Sequence, residues 1–98
     1  MKDLLNKLDK LLENRVRLGV MSALMVNKSM DFNSLKELLG VTDGNLASHL
    51  KALEKGGLIL VSKQFVGRKP NTSYSSTLNG RKIFNIHLDA LERLLKNK

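Results

Sequence analysis

The sequence contains no cysteine and no tryptophan, and its aromatic residues are one tyrosine and three phenylalanines. Without thiols there is no thiol redox sensing and no thiolate metal site, which agrees with a reducing, intracellular setting. The two histidines, His49 and His87, fall on different elements, so no metal is expected. So few rings leave no stacking platform for single-stranded nucleic acid, the more so because Phe32, Phe65 and Phe84 are expected in or near the core. No apolar run approaches the roughly 20 residues that span a bilayer, and the longest, 20–26, is interrupted by Ser22. The first ten residues alternate charge with leucine and carry no signal-peptide apolar stretch, so a cytoplasmic protein without a membrane partner is expected. Enzymatic machinery is also missing. There is no phosphate-binding glycine loop, no Ser/His/Asp arrangement and no paired carboxylates, and Gly67-Arg68-Lys69-Pro70 ends in an imide where such a loop needs N–H donors. A non-enzyme with no cofactor is expected.

A more local absence is that of acid. Between Lys55 and Lys82 lie six basic residues and no Asp or Glu, whereas the rest of the chain holds eleven basic and nine acidic residues. The formal charge of +8 is therefore concentrated in one segment. Such a localised positive field favours a polyanion partner.

Ninety-eight residues make one domain. Leu4, Leu5, Leu8, Leu11 and Leu12 form one stripe of an amphipathic helix over residues 3–13. Asn14 ends that helix and caps a second over 15–27, whose broad apolar surface predicts a central, buried helix. Met30-Asp31-Phe32 is a short extended piece. Asn33 or Ser34 then caps a helix through Leu39, stopped by Gly40. Thr42 or Asp43 opens the next helix, which runs to about Lys55 and ends at Gly56-Gly57. Beyond the glycines the pattern becomes β-rich from Leu58 to Val66. Residues 67–71 form a turn, and Thr72 to Thr77 return as a second strand in which Tyr74 suits a half-exposed sheet. Thr77 caps a last helix over 78–95.

The expected fold is mainly α with a small β-hairpin: helix, helix, short strand, helix, turn, helix, hairpin wing, helix. This is a winged helix-turn-helix. In the second helix of the pair, Leu46, Leu50 and Leu53 mark the buried face. The opposite face presents Gly44, Asn45, Ser48, Lys51 and Lys55, and Thr42 stands at its start. Small polar side chains permit close approach to a major groove, where amides and hydroxyls read base edges. Asn45 and Ser48 are the candidate readers, and Lys51 and Lys55 the candidate phosphate contacts. His49, on the flank of the buried stripe, is either a structural histidine or a DNA contact. Asp43 is expected to stabilise the positive helix end. At the hairpin tip Arg68 and Lys69 are expected on a minor groove or phosphates, with hydroxyl–phosphate support from Thr72 and Ser73, and Ser34 of the other helix is a further candidate DNA contact.

The run from Gly44 to Ile59, GNLASHLKALEKGGLI, resembles the recognition helix and strand start of MarR/ArsR-type winged-helix regulators. The segments FVGRKPNTSY (65–74) and TLNGR (77–81) resemble the wing and closing motif of a compact subgroup, and the likeness extends from about Asn14 to Leu95. The resemblance implies a homodimer that binds a pseudo-palindromic duplex operator and represses transcription. It also implies an interface built by the terminal helices, here Leu4, Leu8 and Leu11 with Phe84, Leu88, Leu91 and Leu95. The leucine stripes near both ends exceed the needs of one small core, which points the same way. His87 is expected in packing or at that interface. Ligand-sensing members carry longer helical arms than this chain, so no small-molecule effector is assigned. The alternatives are a winged helix used for protein contacts and a non-specific DNA-binding protein.

Overall fold

A computed structural model describes residues 1–96; the last two residues of the expected 1–98 domain lie outside the described residues. The chain runs through α1 (Lys2–Asn6), a 3₁₀ turn (Lys10–Leu12), α2 (Arg15–Val26), β1 (Met30–Asp31), α3 (Phe32–Leu39), α4 (Asp43–Lys55), β2 (Ile59–Val66), β3 (Lys69–Ser76) and α5 (Leu78–Lys96). The strands form one antiparallel sheet in the order β1-β3-β2. This is the winged helix-turn-helix architecture expected from the sequence. No helix among the described residues is long and apolar enough to cross a membrane.

The core forms around α2, which buries Val20, Met21, Ala23 and Leu24. The helix starts where Asn14 Oδ1 accepts from the N–H groups of Val16 (2.9 Å) and Arg17 (3.1 Å), replacing partners that a first helical turn lacks. Leu35 of α3, Leu46, Leu50 and Leu53 of α4, and Phe84 of α5 close on it. Each fully buried leucine contributes roughly 1.5–3 kcal/mol relative to an exposed one. Three of them on one stripe of α4 fix its rotation, and so decide which residues face outward.

The structure corrects several local expectations. Residues 3–13 are not one helix. Asp9 is extended, its carboxylate accepts from Leu11 N (2.9 Å) to start the 3₁₀ turn, and its own N–H donates to His87 Nδ1 (3.0 Å). A leucine stripe fits two short helical pieces as well as one long helix, and the local side-chain bond decides between them. The cap of α3 is Asp31, not Asn33 or Ser34. Its Oδ1 accepts from Ser34 N at 2.7 Å, because β1 passes into α3 with no loop between them. Hydrogen bonds from the backbone N–H and then the hydroxyl of Ser34 hold the Asp31 carboxyl below its ordinary range.

The hairpin turn is shorter than expected. Only Gly67 and Arg68 connect the strands, with Gly67 at φ 66°, a left-handed first position that a two-residue hairpin requires. Lys69, Pro70 and Asn71 belong to β3, opposite Val66, Phe65 and Gln64. Pro70 is tolerated there because β1 pairs only with Tyr74 and Ser73, which leaves the outer edge of β3 free at residue 70. Tyr74 is buried rather than half-exposed, and Phe65 is 75% exposed rather than in the core.

Candidate nucleic-acid interface

The helix-turn-helix is fixed by local devices. Gly40 ends α3 in the left-handed conformation (φ 64°, ψ 40°), and three residues later α4 begins. Thr42 Oγ1 accepts from Asn45 N at 3.2 Å, which makes it the cap of α4. Lys36 of α3 pairs with Asp43 at 2.7 Å across the turn. An exposed pair of this kind adds at most about 1 kcal/mol, but it also offsets the one carboxylate at the outer end of α4. At the far end Gly57 N donates to Glu54 O and Leu58 N to Leu53 O, both at 3.0 Å, a Schellman closure that aims the chain into β2.

With α4 pinned by its leucines, Gly44, Asn45, Ser48, Lys51 and Lys55 are all exposed. The side chains of Asn45 and Ser48 make no hydrogen bond among the described residues, so their amide and hydroxyl are free to meet an incoming partner. Gly44 has open space where a Cβ would stand. Nothing within the protein therefore requires glycine there, although glycine weakens a helix relative to alanine. Ser34 is exposed near the start of α3, and its backbone N–H is taken up by Asp31.

His49 is half-buried, and its Nδ1 lies 3.0 Å from Arg17 Nη1. A guanidinium only donates, so Nδ1 accepts and the ring proton sits on Nε2. Arg17 also donates through Nε to Leu11 O at 2.7 Å, tying the 3₁₀ turn to α4. His49 thus has a structural partner. It also lines a cleft with Thr42, Asn45 and Arg15, where the N-terminal ends of α2 and α4 converge. Arg15, exposed at this cleft, was not among the residues singled out from the sequence. No local signal marks it, because only the packing of α2 on α4 brings it there.

The hairpin extends from the other side of α4. Arg68 and Lys69 are exposed at its tip, and Thr72 lies further back, in a groove shared with Ala47, Lys51, Glu54, Lys63 and Tyr74. This groove joins Lys51 of the helix to Thr72 of the wing. It adds Lys63, whose place opposite Thr72 follows from the strand register. Burial, and next the nearby Glu54 carboxylate, push the Tyr74 hydroxyl above its usual range, so it remains a neutral donor and acceptor.

The terminal leucines divide into two groups. Leu4, Leu8 and Leu11 are half-buried, and Leu11 packs against the core. Phe84, expected at an interface, is only 5% exposed and belongs to the protomer's own core, which removes it from any partner surface. His87 is buried too, its Nδ1 occupied by Asp9. Leu88, Leu91 and Leu95 are exposed on one stripe of α5, between the buried face and the ion pair Glu92–Lys96 (2.9 Å), with Asp89–Arg93 (3.0 Å) further round the helix.

Comparison with known proteins accords with this geometry. Residues 16–95 match the model of a winged helix DNA-binding domain family. An uncharacterized protein of Methanocaldococcus jannaschii is 34% identical over 88 residues, which cover 90% of this chain and 96% of that protein. A transcriptional regulator homologue from Pyrococcus horikoshii superimposes with a TM-score of 0.89 at 30% identity, over 99% of this chain and 97% of that one. A protein from Enterococcus faecalis assigned to the MarR family superimposes with a TM-score of 0.70 at 25% identity, over 88% of this chain and 74% of that one. The chain belongs to the winged helix DNA-binding domain family, as a winged-helix transcriptional regulator rather than an enzyme.

Proposed function

We propose that this regulator is a cytoplasmic homodimer that represses transcription by occupying a pseudo-palindromic duplex operator. One α4 from each protomer enters the major groove end-first, and Asn45 and Ser48 read base edges while Gly44 lets the backbone approach. Lys51, Lys55 and the hydroxyls of Ser34 and Thr42 contact phosphates. His49 offers its Nε2–H to the backbone beside Arg15. Arg68 and Lys69 hold the flanking minor groove or its phosphates, with Thr72 behind them. The observation that carries this reading is the free, small, polar outer face of α4 beside a basic hairpin in a segment without acids.

The dimer reading rests on the exposed stripe of Leu88, Leu91 and Leu95. Closing two such stripes on each other, flanked by Leu4 and Leu8 of the N-terminal segment, removes apolar surface that one protomer leaves in water. A two-fold dimer then presents two α4 helices to half-sites one helical turn, about 34–36 Å, apart.

Selection of binders from a random duplex library tests the reading. The expected outcome is an enriched inverted repeat with half-sites about one turn apart, bound by two protomers. Recovery of unenriched sequence would leave non-specific DNA binding, and failure to retain duplex at all would leave a protein-contact module.

A further inference from the structure

Of the three phenylalanines, Phe84 sits in the core and Phe32 packs against it, whereas Phe65 stands in solvent near the hairpin tip. Its cross-strand partner is Pro70. Directly opposed residues on a hairpin hold their Cβ atoms about 4.5–5.5 Å apart, so the two rings are neighbours in one small apolar surface. Strand alternation places that surface on the same face as Val61, Lys63, Thr72 and Tyr74, the four hairpin residues that line the groove toward α4. The rings therefore continue the α4 side of the molecule, one step beyond the Lys63–Thr72 pair. Leu60 and Val66 alternate to the other face.

The surroundings indicate what covers these rings. Lys63 shares their face, Arg68 stands at the tip and Lys69 lies on the opposite face with Val66, all three exposed, and no acid occurs between Lys55 and Lys82. The same patch on a second copy of this chain would bring like charge against it, and a neutral apolar partner would leave the cations without counter-charge. Duplex DNA supplies both needs. Its phosphates meet the cations, and the deoxyribose edges that wall the minor groove are apolar.

We propose that Phe65 and Pro70 form an apolar wedge that packs against the sugar walls of the minor groove, while Arg68 and Lys69 engage the adjoining phosphates. This rests on the duplex-binding reading above and adds to it a contact that does not depend on counterion release. Because groove width varies with sequence, such a wedge also senses DNA shape at positions that α4 does not touch.

The test is titration of the selected duplex with wild type, Phe65→Ala, Phe65→Leu and Arg68→Ala across a salt series, with thermal melts of each protein. Phe65→Ala is expected to lower affinity about tenfold at every salt concentration, the equivalent of uncovering roughly half of a phenylalanine ring. Its salt slope and its melt should match wild type, and Phe65→Leu should recover most of the loss. Arg68→Ala should instead make the slope shallower by about one. Unchanged affinity of Phe65→Ala would overturn the wedge and leave the duplex reading standing. A loss accompanied by dissociation into protomers would overturn it too, by assigning the ring to a protein contact. Failure of wild type to prefer duplex over single strand would overturn both.

Discussion

The two parts of the interface, α4 and the hairpin, lie on one face and are built in opposite ways. Three leucines with almost no exposure pin α4 from behind, and both of its ends are closed by hydrogen bonds within the protein. The hairpin is anchored only at its root, where Ile59 and Tyr74 are buried. From Lys63 to Pro70 every residue is exposed. Their outward chemistry differs as sharply, with small amide and hydroxyl groups on the first half of α4 and cations on the hairpin. Reading a base edge needs a group held in fixed register. Holding a phosphate needs reach and charge, and tolerates motion. The contrast is what a division between reading and holding would require.

The comparison breaks most severely at the hairpin root. Gly80 of α5 is packed directly against the backbone of Leu58, so that an added Cβ would collide with that carbonyl. Thr77 joins the same point: its hydroxyl donates to Gly57 O (2.7 Å) and accepts from Gly80 N (2.8 Å). Gly80→Ala is therefore expected to cost about 3 kcal/mol or more, read as a lowered midpoint in urea unfolding followed by circular dichroism.

Gly44→Ala sharpens the comparison by separating stability from binding. Alanine should stabilise the free protein by up to about 1 kcal/mol, because nothing crowds the position and alanine is the better helix former. The same methyl should weaken duplex binding, because it stands where the groove wall approaches. Opposite signs in a melt and a titration are the expected result; a gain in both would remove Gly44 from the interface.

The smallest effect concerns the frame that holds α4. Asp31 caps α3, and the Ser34 hydrogen bonds depress its folded-state pKa below that of the unfolded chain. Its stabilising contribution is present above the unfolded value and is lost as pH falls through the folded one. Urea midpoints measured across the acid range should fall for wild type, and fall less steeply for Asp31→Asn.

Much of this arrangement was legible in the sequence because its determinants are local. The spacing of Leu46, Leu50 and Leu53 set the face of α4, and Gly40, Thr42 and Gly56-Gly57 set its ends. The outer residues followed without knowledge of any partner element. Long-range terms decided the rest. Asp9 breaks the first helix in part for a histidine 78 positions away. Arg17 reaches His49 over 32 positions, and Arg15 joins the cleft only through the packing of α2. Tyr74 and Phe65 exchanged their expected environments because alternation shows that two faces exist, not how far along the hairpin the core extends. Phe84 lies in the core, as one expectation had it, and not at the interface that the resemblance implies, because the buried and exposed stripes of α5 adjoin.

The division of labour is tested most directly by measuring binding to the selected duplex and to an unrelated one, across a salt series, for wild type, Asn45→Ala/Ser48→Ala and Arg68→Ala/Lys69→Ala. The helix variant should lose most of the preference for the selected duplex while keeping its salt slope. The hairpin variant should bind both duplexes more weakly, with a slope shallower by about two and the preference retained. A hairpin variant that lost the preference, or a helix variant that kept it, would contradict the account.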